Sequence, residues 1–349
     1  IPFGASVRTS DGGIGTAQKY WANATITADM PSVGDVMAQM YEAATGREVD
    51  GVFVIDPVGV AGLLEITGPV DLPAIDRRVD SGNAAQFLTL DQYEFAENER
   101  EDLLAEVTEA TIENVLTSTL PPPQQMAPAL APAVLNGHIS GWVTRPDEQE
   151  LLDLVGMDAA LPNIRTNGRD AIGAVNVNRG ANKIDSFLER TITYRPIVDE
   201  STGEATATLV VSMTNTAPIT GYEDYVIGNR VDQPVGTNRT ILDVYTRLRV
   251  DAARLDGDEV PRYTIPELGY NVHSTVIDIP PGATVVMEFE LSGEVARSDY
   301  ELIYRPQPLP NPDRLIVEAR SAQGGQLFEF DGVLERRSVL SADGVNAWR

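Results

Sequence analysis

Apolar residues near the start of the chain recur at intervals of three and four, the spacing of one face of a helix. The stripe runs from Val33 to Ala44 and predicts an amphipathic helix that packs against a core. Ser32 suits the N-cap position, because its hydroxyl can accept a hydrogen bond from a free backbone N–H, and Gly46 suits the end of the helix. The pattern therefore predicts a helix over the early thirties to the mid-forties.

The next segment changes to a short continuous apolar run at residues 52–55, which is typical of a strand covered on both faces. Asp56 then suits the cap of a second helix, Pro57 its first position, and Gly68 its end. Helix, strand and helix in succession predict an α/β layered arrangement.

A long helix is predicted over residues 91–120, where three prolines end it. The residues expected on its buried face are Leu103, Leu104, Val107, Thr111 and Val115. Residues 121–132 form either a stiff connector or one short helix started by proline. A strand is predicted at 138–144 and a helix at 146–155, and the Gly-, Asn- and Arg-rich residues 163–183 are interpreted as a loop-rich domain border.

From residue 187 onward the apolar residues alternate with polar ones, which is the period of a strand with one buried face. Turn signals separate these strands at 199–203, Asp256-Gly257, Pro281-Gly282 and Asp331-Gly332. Pro281 and Gly282 suit the two central positions of a type II turn. Short strands at this spacing, without helices, predict an antiparallel, immunoglobulin-like β-sandwich.

These patterns divide the chain into three parts. Residues 1–182 are expected to form an α/β domain that lacks its N-terminal part, because the chain opens without an initiator methionine. Residues 183–320 are expected to form the β-sandwich, and residues 321–349 a C-terminal β-hairpin and tail.

Charge and composition narrow the classes of partner. The 349 residues include 52 Asp and Glu against 26 Lys and Arg, a formal net charge of −26. This surplus disfavours nucleic acid and anionic lipid headgroups, because both repel a negative surface. The absence of cysteine excludes disulfides, thiolate zinc sites and cysteine nucleophiles. No apolar run is long enough to span a membrane.

The candidates for metal or acid–base chemistry are few. His138 and His273 are the only histidines and fall in different predicted domains, so a structural role is favoured for both. Asp256, Asp258 and Glu259 are weak candidates for Ca²⁺ ligands, but their spacing departs from the known twelve-residue loop and a hairpin turn explains them more simply. No cofactor-binding motif is found.

A series of motifs in a fixed order carries a resemblance to a known family. They are VDGVFVIDP (49–57), LLEITGPV (63–70), GHISGWVTRPDEQELLDLVGM (137–157), NKIDSFLERTITYRP (182–196), TNTAPITGYEDYV (214–226), TNRTILDVYT (237–246), IPPGATV (279–285) and YELIYRPQP (300–308). Together they resemble the domain of unknown function 4012 family of actinobacteria and other high-GC bacteria. The resemblance implies an exported cell-surface protein, held by an N-terminal membrane anchor that this chain does not include.

A more distant similarity links the unit around VDGVFVIDP to the LytR-CpsA-Psr transferases, which move lipid-linked glycopolymers onto the cell wall with Mg²⁺. That similarity implies a pocket in which cations hold a diphosphate and carboxylates hold the metal. The closest counterparts here are Arg77, Arg78, Asp80 and Arg100, although the paired-Arg-then-Asp pattern of those enzymes is not matched and Arg100 lies among acidic residues.

These observations lead to a functional expectation with one alternative. We expect an extracytoplasmic envelope protein of non-catalytic character, which binds another surface component or self-associates and needs no cofactor. The alternative is a divergent Mg²⁺-dependent transferase of the LytR-CpsA-Psr kind. The ligand, the oligomeric state and the physiological process are not fixed by the sequence.

Overall fold

The computed structural model of the protein describes residues 21–164, 168–229, 232–261, 263–297 and 299–347. The helices are α1 Met30–Thr45, α2 Pro57–Thr67, α3 Ala84–Thr89, α4 Glu97–Thr117, α5 Pro123–Leu135, α6 Pro146–Leu154 and α7 Asp224–Ile227. Short 3₁₀ helices lie at Trp21–Ile26, Pro73–Ile75, Asp91–Glu94 and Ile184–Phe187.

The early strands are β1 Gly51–Ile55, β2 Val70–Leu72, β3 Arg77–Val79, β4 Ile139–Val143, β5 Asp170–Asn178, β6 Leu188–Val198, β7 Glu204–Asn215, β8 Asn238–Thr246 and β9 Arg249–Leu255. The later strands are β10 Asp258–Glu259, β11 Thr264–Glu267, β12 Tyr270–Ile279, β13 Thr284–Glu294, β14 Leu302–Arg305, β15 Arg314–Ser321, β16 Gln326–Val333, β17 Ser338–Ser341 and β18 Gly344–Ala347. The content is mixed α and β, as the sequence predicted.

The first helix is capped by a residue other than the expected one. Asp29 is the N-cap of α1, and its carboxylate accepts hydrogen bonds from the backbone N–H and the hydroxyl of Ser32, at 3.1 and 2.6 Å. The prediction of Ser32 as the cap is therefore wrong, because the carboxylate three residues earlier takes that role. Gly46 ends the helix in the left-handed conformation at φ 70°, as predicted.

Helix α2 confirms its predicted start and end. Asp56 caps it, with Oδ1 accepting from the backbone N–H groups of Val58 and Gly59 at 2.9 Å each, and Gly68 follows the last turn. The strand before it also forms, but its predicted burial on both faces is wrong. Strand β1 pairs with β4 in a two-stranded antiparallel sheet, and Phe53 is 53% exposed.

The predicted long helix over 91–120 is divided in two. A 3₁₀ turn at Asp91–Glu94 precedes α4, and the backbone N–H of Ala96 donates to the Glu99 carboxylate at 3.3 Å to start the new helix. Leu103, Val107 and Thr111 are buried as expected, whereas Leu104 is 45% exposed, contrary to prediction. Beyond it, the helical alternative for the proline-rich segment is confirmed by α5.

Two seven-stranded sheets form the rest of the molecule. The first sheet has the order β10-β9-β13-β7-β6-β15-β16, and the second sheet has the order β11-β12-β8-β5-β14-β17-β18. Most neighbours are antiparallel, but β14 pairs with β5 and β15 pairs with β6 in parallel. The prediction of a purely antiparallel sandwich is therefore wrong, because strands more than a hundred residues apart return beside early ones, and local hairpin signals do not report such pairing.

One apolar core lies between these sheets. It draws on the first sheet through residues such as Val211 and Phe289 and on the second through residues such as Leu242 and Leu302, and all four are fully buried. The buried positions alternate along β7, as the period-two pattern predicted. The turn between β12 and β13 also forms as predicted, with Gly282 at φ 73°.

The opposite face of the second sheet is covered as well. Residues 21–164, called here the N-terminal layer, contribute Ala28, Leu161 and Ile164 to a cluster with Val272 and Ile303 of that sheet. The second sheet is thus a middle layer between the first sheet and the N-terminal layer.

Two local predictions fail at this middle layer and at the sheet edge. Residues 170–178, interpreted as part of a loop, form the central strand β5, in which residues 170–176 are buried whichever face of the sheet they occupy. Asp331-Gly332, interpreted as a turn, lies inside β16, where Asp331 pairs with Arg314 of the neighbouring strand at 2.8 Å. The second sheet therefore takes β5 from before residue 182 and the β17–β18 hairpin from after residue 320.

Candidate functional site

A cavity of about 260 Å³ lies between the N-terminal layer and the second sheet, and we call it the junction cavity. Its apolar lining includes Met30, Val33, Val54, Val134 and Leu135. Its polar lining includes Asp56, Asn136, His138, Ser140, Arg305, Gln307, Glu335 and Arg337. The wall exposes more apolar than polar surface and also carries several polar groups, a combination that suits a small-molecule site.

His138 and Asp56 form one polar edge. His138 Nδ1 lies 2.7 Å from Asp56 Oδ2, and the His138 side chain is only 6% exposed. The Asp56 backbone N–H also donates to the His138 carbonyl oxygen at 3.1 Å. Since Oδ1 of Asp56 is occupied by the start of α2, this carboxylate fixes both the helix and the imidazole ring.

Arg305 forms a second polar edge at the end of β14. Its Nη2 donates to the carbonyl oxygens of Ala28 and Ala159 in the N-terminal layer. Its Nε is buried and has no hydrogen-bond acceptor among the described residues. Burial lowers the pKa of this guanidinium from its usual value.

Two further polar groups of the cavity, Arg337 and Gln307, are held by partners. Arg337 donates to the Asp158 carboxylate and to the Ala160 carbonyl oxygen, both at 2.8 Å. Gln307 bonds the backbone of Asn176 through both ends of its amide, at 2.7 and 2.9 Å. These side chains are fixed in place, so the cavity keeps a defined shape.

The residues suggested by the transferase similarity are engaged by neighbouring groups of the chain. Arg77 lies 3.8 Å from Asp91 and 3.6 Å from Glu94, whereas Arg78 lies 3.8 Å from Asp71. Both arginine side chains are substantially exposed, at 43% and 62%. Asp80 accepts the backbone N–H of Gly82 at 2.9 Å and stabilises a turn.

Arg100 serves as a contact between the N-terminal layer and the β7–β8 connection. Tyr93 and Tyr225 stack with ring centroids 4.8 Å apart, and the Arg100 guanidinium lies 5.0 and 4.8 Å from the two ring centroids. The Lys183 ammonium lies farther from the same two ring centroids, at 5.9 and 6.0 Å. Arg100 also pairs with Glu97 at 3.7 Å, so its charge is engaged by groups of this chain.

The weak calcium candidates lie at a hairpin. Asp256 is in the left-handed conformation at φ 51°, and its carboxylate accepts the backbone N–H of Val286 at 2.8 Å. Asp258 and Glu259 form the short edge strand β10 and point to solvent. Within the described residues, no group of three or more acidic or histidine side chains is arranged to hold a metal ion.

The second histidine belongs to the sandwich core. His273 is fully buried, and its Nε2 lies 3.0 Å from the Thr275 hydroxyl. Its ring meets the Phe289 ring in an edge-to-face arrangement, with the two ring centroids 5.1 Å apart. Of the two histidines, only His138 lines the junction cavity.

Sequence reasoning missed this cavity, although its residues were among the quoted motifs. The segments 49–57, 137–157 and 300–308 converge there, through Asp56, His138 and Arg305. The available signal was the pair Arg305-Pro306 at the end of an apolar strand, because proline stops the strand there. The sequence could not show what Arg305 faces, because Asp56 and His138 on the opposite wall lie more than a hundred residues away in the chain.

Comparison with known families supports one expectation. The model of the family described as "Protein of unknown function (DUF4012)" matches residues 6–93. This match supports the relationship to that family for the N-terminal quarter of the chain. No curated protein matches the chain.

Comparison with solved structures gives only remote partial alignments. A candidate nutrient-binding protein of Legionella pneumophila aligns at 10% identity over 43% of this chain and 55% of its own, with a TM-score of 0.26. An M1 zinc metallopeptidase of Deinococcus radiodurans aligns at 11% identity over 45% of this chain and 41% of its own, with a TM-score of 0.25. The chain thus spans about half or less of these proteins, and TM-scores this low establish no shared fold.

Proposed function

We propose that this protein is a non-catalytic, exported component of a bacterial cell envelope that binds a small ligand in the junction cavity. The observation that carries the proposal is the cavity itself, whose wall combines apolar side chains with several polar groups. Ligand sites occur preferentially where two structural units meet, and this cavity lies at such a junction.

The surface location follows from the family resemblance and is part of the proposal. None of the described helices combines the length and apolar character needed to cross a membrane. The finer assignments, a LytR-CpsA-Psr-like N-terminal layer, an immunoglobulin-like sandwich and an actinobacterial source, remain predictions.

The arrangement of the polar groups favours binding over catalysis. Ser140 lies two residues beyond His138 on β4 and lines the same cavity, but in the described part of the chain no hydrogen bond joins the two side chains. A serine nucleophile needs its base within hydrogen-bond reach. The pair of His138 and Asp56 therefore acts in our proposal as a fixed wall that can meet a polar group of the ligand.

The proposal is tested by native mass spectrometry of the protein purified from its own envelope. We expect a small molecule that stays bound in the native state and is released on denaturation. Leu135→Trp should reduce its occupancy, because Leu135 lines the cavity and is 38% exposed, so a larger ring can enter the cavity without disrupting the core. Leu154→Trp is the matched control, because Leu154 is 80% exposed and lies outside the lining.

Three outcomes would contradict the proposal. Equal occupancy in Leu135→Trp and in the wild-type protein would remove the junction cavity as the site. Conversion of the ligand by the wild-type protein, abolished by His138→Gln, would show catalysis. Saturable Mg²⁺-dependent transfer of a lipid-linked glycan, abolished by Arg100→Ala, would establish the alternative transferase.

A further inference from the structure

Arg305 is a partly buried positive charge whose guanidinium is only partly used. Nη2 holds two carbonyl oxygens, whereas the buried Nε has no acceptor among the described residues. No carboxylate of that part of the chain forms an ion pair with it. A buried N–H without an acceptor is costly, and more so when the group is charged.

The carboxylates around the cavity are committed elsewhere. Asp29 accepts from Ser32 and from the backbone N–H of Leu161, at 2.9 Å for the latter. Asp158 pairs with Arg337. Asp56 accepts from His138 and from the start of α2. Glu335 is exposed and accepts from the Asn136 amide at 3.2 Å. Within the ranges that the structure describes, no carboxylate is therefore in direct contact with the Arg305 guanidinium.

We propose that the ligand of the junction cavity is a small organic anion, with a carboxylate or phosphate head on Arg305 and an apolar body. The head would accept a charge-assisted hydrogen bond from Nε, whose N–H is the buried donor that the described residues leave without an acceptor. The body would lie against Met30, Val33 and Val54. A volume of about 260 Å³ limits the ligand to a compact molecule. This inference rests on the proposed function, because it names the chemistry of the same cavity.

The test measures binding of three six-carbon probes to the purified protein by calorimetry. Hexanoate carries the carboxylate, hexyl phosphate carries the phosphate, and hexan-1-ol has the same body without charge. We expect saturable one-to-one binding of at least one anion, at least about tenfold tighter than the alcohol, because a charge-assisted hydrogen bond is lost with the alcohol. The preferred anion identifies the head group.

Arg305→Gln should weaken binding of that anion to the level of the alcohol, and Arg305→Lys should restore part of the difference. The matched control is Arg145→Gln, because Arg145 is 63% exposed, pairs with Asp147 and Glu148, and does not line the cavity. Arg145→Gln should bind the preferred anion with the same affinity as the wild-type protein. If Arg305→Gln does not fold, the anion-to-alcohol ratio of the wild-type protein and its loss in Leu135→Trp decide the question.

Equal binding of anion and alcohol, binding of neither, or full anion affinity in folded Arg305→Gln would overturn the inference. Its failure can be separated from that of the proposed function. A copurified neutral ligand displaced by Leu135→Trp would uphold the proposed function and reject the anion site. If the purified protein carries no native ligand but binds the anion through Arg305, the anion site is upheld and the proposed function is rejected.

Discussion

Arg190 and Asp313 form an ion pair in which neither side chain is exposed to solvent. Two parallel hydrogen bonds join them, from Nε at 2.7 Å and from Nη2 at 2.6 Å. Nη1 donates to the Asn176 side chain, and the Tyr304 hydroxyl donates to Asp313. The pair fixes β6 and β5 against the segment that enters β15, so it holds the parallel strand pairings together.

Asp313→Ala should lower the free energy of unfolding by about 3–5 kcal/mol, because it leaves a buried guanidinium without its counter-ion. Denaturant unfolding measures the loss. The combined variant Arg190→Met/Asp313→Leu should recover part of the stability, since no charge then remains buried. Asp331→Ala is the control, because its pair with Arg314 has the same geometry at half-exposed positions, where water screens the attraction. An equal loss in both alanine variants would contradict this account.

Asp170 gives stability a distinct pH dependence. Its Oδ2 accepts from the hydroxyls of Tyr194 and Tyr300, at 2.7 and 2.6 Å, and burial raises its pKa from the usual value. The folded state therefore binds the proton more strongly than the unfolded state, so this group's contribution to stability falls as pH rises through the interval between the two pKa values. The free energy of unfolding falls by about 1.4 kcal/mol for each unit by which the pKa of Asp170 in the folded state exceeds that in the unfolded state.

Urea unfolding of the wild-type protein and of Asp170→Asn over a pH series tests this linkage. The wild-type free energy of unfolding minus that of the variant should decrease as pH rises from the ordinary Asp pKa. Asp199→Asn should give the opposite slope below that value, because hydrogen bonds from Ser201 lower the pKa of Asp199. A difference for Asp170→Asn that is flat or increases with pH would refute the assignment.

Helix α2 packs so closely on the strand opposite that one of its glycines has no room for a methyl group. A Cβ on Gly59 would lie 2.4 Å from the carbonyl oxygen of His138, whereas a Cβ on Gly62 would lie 3.1 Å from Ala133 Cβ. Gly59→Ala should therefore cost about 1–3 kcal/mol of stability despite the gain in helix propensity. Gly62→Ala, one turn along the helix, should be close to neutral. Thermal unfolding measures both, and equal melting temperatures would contradict the predicted close packing.

The stacked pair of Tyr93 and Tyr225 should couple the N-terminal layer to the sheets. A double-mutant cycle with Tyr93→Leu and Tyr225→Leu is expected to give a coupling free energy of about 0.5–1.5 kcal/mol. The control cycle combines Tyr93→Leu with Phe328→Leu, because Phe328 stacks on Tyr300 in a different core. Its coupling should be close to zero, and a value equal to the first cycle would show that the stacking is not the cause.

Local features of the sequence predicted local structure well. The cap of α2 at Asp56 and its end at Gly68 follow from the chemistry of side chains within three or four positions of the helix ends. The alternation along β7 follows from its one buried face. Helical periodicity was less reliable at element boundaries. It predicted one helix over residues 91–120, whereas the structure has a 3₁₀ turn at Asp91–Glu94 followed by the shorter helix α4.

What the sequence determined by itself is therefore the identity of most elements, the acidic surface and the family resemblance. The tertiary structure alone decided that β5 is a central strand, that two pairs of strands run parallel, and that Asp56, His138 and Arg305 share one cavity. The physical reason is distance along the chain: helix caps and strand alternation arise between near neighbours, whereas burial on both faces and the loss of solvent around a charge depend on segments that meet only after folding.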